Sequence, residues 1–219
     1  MTNKFGRLAL HMWTIDTTPL ATALNAARSG GFDAVELRRT DFKRCFDAGM
    51  SNQQVLDLIR NSGIPVGVLG VEYGWLFAEG DESKRLFTVF RESCENAVAL
   101  GCDMLMSAPG PIAGPISDAI GHLRRAGAIA AEYGLRLAIE FNSQHPVLNK
   151  LAALRELLDG AKQKKLRLPD RHLSLRPQWC RRTWLRKRTG GADLLFPIQR
   201  CFTPAGDRRR TAGRPLASR

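Results

Sequence analysis

No stretch of this 219-residue chain reaches the roughly 18 consecutive apolar residues that a membrane-crossing helix needs. The opening "MTNKFGRLALHMW" also lacks a long apolar run followed by a small-residue cleavage site. These two gaps predict a cytoplasmic protein with no membrane partner. No C-x-x-C pair occurs among the five cysteines, Cys45, Cys94, Cys102, Cys180 and Cys201, which argues against a disulfide frame or a zinc knuckle and for reduced, buried thiols. The first apolar run is not followed by G-x-G-x-x-G, so the usual dinucleotide cradle is missing.

What is present divides in two. The net charge of +12 would ordinarily suggest a polyanionic partner, but its distribution is lopsided. Residues 166–219 hold thirteen Arg and one Lys against Asp170, Asp193 and Asp207, so nearly all of the excess sits there, and residues 1–165 are almost neutral. A body and a tail therefore need separate explanations.

In the body one unit recurs: a short apolar run, a polar loop, an amphipathic helix, then a glycine and the next apolar run. The joints are "ARSGGFDAVEL", "IRNSGIPVGVL", "VALGCDMLM" and "AEYGLRLAIEF", each with Gly where a helix ends in a left-handed cap. The pattern predicts strands at 7–13, 33–37, 65–71, 102–107 and 135–141, apolar on both faces as buried parallel strands are. Helices are predicted near 19–29, 52–61, 82–100, 116–133 and 148–162, with Thr18–Pro19, Ser51 with Gln54, and Pro115 as start signals. The fold class that follows is α/β, a partial (β/α)8 TIM barrel of about five βα units, with residues 1–165 as the barrel portion. A barrel is favoured over a doubly wound sheet because polar groups stand at or just past the strand C-termini, where barrel sites are built: His11, Glu36, Glu72, Ser107 and Glu140. Parallel strands also end in polar residues simply on reaching solvent.

A complete barrel needs eight units, and strand six should follow residue 165. Instead "LRLPDRHLSLRPQWCRRTWLRKRTGG" has neither a twofold nor a 3.6-residue period, and residues 166–219 read as an irregular, disordered basic segment. Codon degeneracy suggests a cause. Back-translated with permitted codons and read one base later, Leu166 to Leu175 can give Cys-Gly-Cys-Leu-Ile-Asp-Thr-Tyr-His, an apolar run ending in an acid and a histidine. The same offset turns later stretches into strand-like and loop-like pieces. The tail thus reads as a frameshifted translation of a truncated barrel, and its arginines then have no function of their own. The competing reading is a nucleic-acid-binding tail gripping phosphates, which the sparse tail aromatics (Trp179, Trp184, Phe196, Phe202) and the missing recognition helix disfavour.

Glu140, in "LRLAIEFNSQHP", is a carboxylate at a strand end entering a polar rim. Such a group can ligate a divalent cation, accept a proton from a carbon acid, or pair with a neighbouring Arg or Lys. The ordered set "LALHMWTI", "GGFDAVELRR", "SAPG" and "AAEYGLRLAIEFNSQHPVLN" resembles the sugar phosphate isomerase/epimerase family of xylose-isomerase-like barrels over residues 5–165. The resemblance implies aldose–ketose isomerisation or epimerisation of a sugar or sugar phosphate through an enediolate, with Mn²⁺ or Mg²⁺ as cofactor. It makes Glu140 both metal ligand and catalytic acid/base. In such a barrel His11, Glu36, Glu72 and His145 face the same rim as substrate-binding candidates, with a local structural role equally open for His145, a loop histidine before Pro146. Trp13 and Trp75 are candidates for the pocket wall or for the core. The remaining family ligands, an Asp on strand six, a His on strand seven and a Glu on strand eight, have no counterpart here; Asp170 and His172 have the wrong spacing. The implied outcome is an inactive chain that self-associates through open edges at its first and fifth strands. Related three-metal endonuclease barrels need more histidines than the body's His11, His122 and His145.

Overall fold

A computed structural model describes residues 7–161 and the backbone of residues 194–195. The expectations for the remainder of 166–219, including its irregularity, its reading frame, and Asp170 and His172, lie outside the described residues.

Five parallel strands, β1 (Arg7–His11), β2 (Ala34–Arg38), β3 (Val66–Gly70), β4 (Met104–Ser107) and β5 (Arg136–Ile139), form one sheet in which each pairs with its predecessor. The helices between them are α1 (Leu20–Ser29), α2 (Arg39–Asp47), α3 (Asn52–Asn61), α4 (Gly80–Ala99) and α5 (Ile116–Glu132), and α6 (Leu151–Ala161) follows β5. The four predicted joints are real caps: Gly31, Gly63, Gly101 and Gly134 have φ of +76°, +70°, +66° and +69°, a region costly to any residue with a Cβ. Ser51 and Gln54 close a reciprocal capping box on α3. Pro19 stands one residue earlier than expected, before the helix rather than at its first position, and Pro115 directly precedes the helix predicted from 116; both are the extended residue before the helix.

Two elements differ from the sequence reading. The first is α2, which follows β2 with no loop. Its "RTDFKRCFD" buries only Asp41, Phe42 and Cys45, too few to show an apolar stripe, and it is started by the Arg38 backbone N–H donating to Asp41 Oδ2 at 2.8 Å. The second is β6 (Leu194–Leu195), a pair in parallel register with Arg7 and Leu8. It closes part of the edge of β1 that the sequence reading left open. The apolar run Leu-Leu-Phe between Asp193 and Pro197 is too short to register as a strand.

Alternation sorts the side chains of each strand onto two faces. Val35 and Leu37 join the helix-side core with Leu69, Leu105, Leu137, Phe87 and Phe90. Trp75, 1% exposed, belongs to this core too, edge-on to Phe87 and Phe90, with its indole N–H donating to Ser107 Oγ at 2.8 Å. Its candidacy as a pocket wall ends there. The opposite face carries Ala9 and His11 on β1, Glu36 and Arg38 on β2, and Ala138 leading to Glu140 at the end of β5.

Candidate functional site

The site starts with strand register. His11 and Glu36 are partners across β1 and β2, which brings His11 Nε2 to 3.2 Å from Glu36 Oε1. His11 Nδ1 accepts the Trp13 backbone N–H at 2.9 Å, so the ring proton sits on Nε2, facing the carboxylate. The approach is off the line of a hydrogen bond. Glu36 Oε1, in a residue only 2% exposed, has no hydrogen-bond partner among the described residues. A buried carboxylate oxygen left so is costly unless something else meets it.

Glu140 follows β5 directly, its N–H held by the Ser107 carbonyl at 2.9 Å. Among the described residues its carboxylate has no ion pair or hydrogen bond, so the pairing with Arg or Lys left open by the sequence is not made. Burial, and then the negative charge of Glu36, push its carboxyl up to about 7, against a smaller opposing pull from His11. In a flat sheet β2 and β5, with two strands between them, would be roughly 14 Å apart. That Glu36 and His11 act on Glu140 reflects curling of the sheet, as in a barrel wall, toward its concave side.

Arg38 closes the floor. Its guanidinium meets Asp16 at 2.6 Å and Asp41 at 2.6 Å and lies 5.8 Å from the Trp13 ring centre. Asp16 also takes Arg44, and the hydrogen bonds from Arg44 and Arg38 hold its carboxyl down at about 2. This clamp fastens the short 3-10 turn Met12–Ile15, and with it Trp13, to the start of α2.

The other predicted residues stand apart from this cluster. Glu72 pairs with Arg85 at 2.7 Å in a network shared with Glu82. His145 is 4% exposed, stacked on Phe77; its Nδ1 accepts the Val147 and Leu148 N–H groups, and its Nε2 is 3.0 Å from the Ile112 carbonyl. Both ring nitrogens are spent on the local fold. The structure thus brings together His11, Glu36 and Glu140. It adds Arg38 and Tyr73, which sequence reading missed: Arg38 follows the strand alternation of Glu36, while Tyr73 lies in a loop, where no period points to it. Burial raises the Tyr73 phenol, with Glu140 and Glu36 adding to the shift and Arg38 opposing it.

Among the described residues no group of three His, Cys, Asp or Glu side chains is placed to hold a metal ion. The carboxylate of Glu140 and the partnerless Oε1 of Glu36, the latter facing the His11 Nε2 proton at 3.2 Å, are the oxygens this cluster offers, too few to enclose an ion. The described residues alone do not fit a divalent metal.

The chain belongs to the xylose isomerase-like TIM barrel family, whose profile matches residues 24–168. No curated protein matches the sequence significantly. Among solved structures, the IolI protein with a bound zinc atom superposes with a TM-score of 0.60 at 17% identity, over 71% of this chain and 59% of that one. D-allulose 3-epimerase from Methylomonas sp. gives 0.53 at 17%, over 73% and 60%. The 3-keto-D-glucoside 4-epimerase YcjR from E. coli gives 0.54 at 15%, over 73% and 65%. The chain spans about three-fifths of the length of these proteins.

Proposed function

We propose that residues 7–161 carry the proton-transfer part of a sugar or sugar phosphate isomerase or epimerase site. The observation that supports this is Glu140: a carboxyl at the end of a barrel strand, unpaired among the described residues, and set by burial and Glu36 to exchange a proton near neutral pH. In the reaction, the Glu140 carboxylate takes the proton from the carbon beside the sugar carbonyl, and the C–H electron pair becomes the enediolate double bond. The carbonyl π pair moves onto its oxygen. Delivery of the Glu140 proton to the former carbonyl carbon, with the neighbouring hydroxyl proton passing to the other oxygen, gives the isomer. Delivery of a different proton to the opposite face of the original carbon, from an acid outside this cluster and with the Glu140 proton lost to solvent, gives the epimer. Glu36, beside His11, makes the Glu140 carboxylate a stronger base by like-charge repulsion, which suits it to take that proton. A divalent cation, Mn²⁺ or Mg²⁺, supplies polarisation of the substrate oxygens in this kind of chemistry, but the described residues do not form its ligand set and no step here passes through it.

The chain as it stands is read as inactive, and the tail from Leu166 as a frame change. One observation supports this: the family match ends at residue 168, beside the change in charge. Resequencing the DNA around codon 165 tests the frame, with an extra or missing base as the expected result. In D₂O, the frame-restored chain with Mn²⁺ is expected to exchange the proton beside the carbonyl of a ketohexose, and E140Q to lose that exchange by a hundredfold or more (roughly the 10²–10⁴ typical of an acid/base group). Exchange by the present chain at a comparable rate would refute the inactivity. In a calorimetric titration the present chain should bind Mn²⁺ no more tightly than millimolar.

A further inference from the structure

Two aromatic side chains at this end of the sheet are exposed: Trp13, 55% exposed, after β1, and Tyr73, 40% exposed, after β3. Tyr73 is not held out by chance. Its loop turns at Gly74, with φ of +96°, and locks against the loop after β4 at Gly110, with φ of +76°. A Cβ on Gly110 would lie 2.8 Å from both the Gly74 nitrogen and Tyr73 Cβ, so the two loops meet backbone to side chain with no room for any other residue. The ring is fixed at its root while its hydroxyl has no hydrogen-bond partner among the described residues. A phenol is both donor and acceptor, and one held rigidly without a partner beside a carboxylate cluster is arranged to meet something polar. Arg38, the cation whose charge bears on this phenol, is already taken by Asp16 and Asp41.

We propose that Tyr73 is a substrate-contacting, specificity-determining residue, its ring forming with Trp13 an apolar wall for the C–H face of a sugar and its hydroxyl hydrogen-bonding one particular sugar hydroxyl. This rests on the sugar site proposed above and adds to it a residue outside the carboxylate–histidine cluster. Aromatic rings suit a sugar because its C–H face is apolar while its edges are polar. A hydrogen bond from a fixed donor also rejects analogues lacking the matching hydroxyl more strongly than a greasy wall can.

The chain has only two tyrosines, and the other, Tyr133, is at the far end of α5 with its hydroxyl 3.3 Å from Glu95. The protein as it exists, labelled with ¹³C-tyrosine, is titrated with D-fructose and a panel of its monodeoxy analogues, with saturation-transfer NMR reporting binding independently. The expected result is movement of the Tyr73 ring signals with Tyr133 unmoved, and one deoxy analogue binding about three- to tenfold more weakly than D-fructose, the net worth of one neutral hydrogen bond. Tyr73→Phe should abolish that one difference while leaving the ranking of the other analogues intact, an effect that a merely structural ring would not give. D-Fructose binding with the Tyr73 signals still, or a discrimination pattern unchanged in Y73F, overturns this assignment and leaves the sugar site standing. Absence of any saturation transfer overturns the sugar site and the assignment with it.

Discussion

Glu140 illustrates how a single residue ties function to stability. Its carboxyl is raised to about 7 in the folded protein, above its ordinary unfolded value, because ionising it there means charging a half-buried site beside Glu36. The folded state therefore holds this proton more tightly than the unfolded state, and stability falls as pH rises from about 4.5 to about 7 and stays reduced above that. Replacing Glu140 with Gln removes the charged form: urea unfolding at pH 8 should find E140Q more stable than the parent by on the order of 2 kcal/mol, with the gap closing at pH 4. Equal stabilities at both pH values would mean that the carboxyl is not held in this environment. Neutralising the neighbour should act in the same direction: Glu36→Gln is expected to lower the Glu140 titration midpoint by about one pH unit, followed by carboxyl ¹³C shifts. His11, Glu36 and Glu140 were legible in the sequence because each sits where a strand of known direction meets its C-terminal rim. Glu72 satisfied the same rule, yet it is taken by Arg85 of α4, and His145, in the loop after β5, is taken by the Ile112 carbonyl, pairings that no period encodes.

Among the elements, the least legible from sequence is the one that organises the floor of the site. The strands and the capped helices announce themselves through apolar runs and glycine joints, whereas α2 is specified by a charge arrangement, Arg38 receiving Asp41 on one side and Asp16 on the other. Arg38 and Asp41 are 8% and 7% exposed, and burying such a pair is tolerable only while both members are present. Arg38→Ala should cost about 3–5 kcal/mol in chemical denaturation by stranding the Asp41 carboxylate, and Asp41→Asn together with R38A should recover part of that loss. Full additivity of the two substitutions would show that they do not share one interaction. The Ser51 box is a smaller device of the same kind, and its sequence signature was plain because both partners lie within three residues.

For the molecule as a whole, the consequence of having five paired strands lies at its margins. Among the described residues β5 has a neighbour only in β4, and β6 covers only Arg7 and Leu8 of β1. Unpaired strand edges recruit other strands, so light scattering on the present chain is expected to find oligomers that grow with concentration; a monodisperse monomer at high concentration would contradict this. Barrel membership was readable from the alternation of apolar runs and amphipathic helices, since that rhythm reflects packing every unit must repeat. The contact between Leu194–Leu195 and the first strand was not, because two residues carry no rhythm.

The sheet order also has a temporal side. Each strand from β2 to β5 lies against the one made just before it, so every unit finds its docking surface already present as the chain emerges, and no pairing among these five waits for a distant segment. Among the described residues only the pairing of β1 with Leu194–Leu195 joins segments far apart in the sequence, and it must wait until that distant segment has been made. The described sheet is thus one that can grow strand by strand in the order of translation, with its longest-range pairing added at the end.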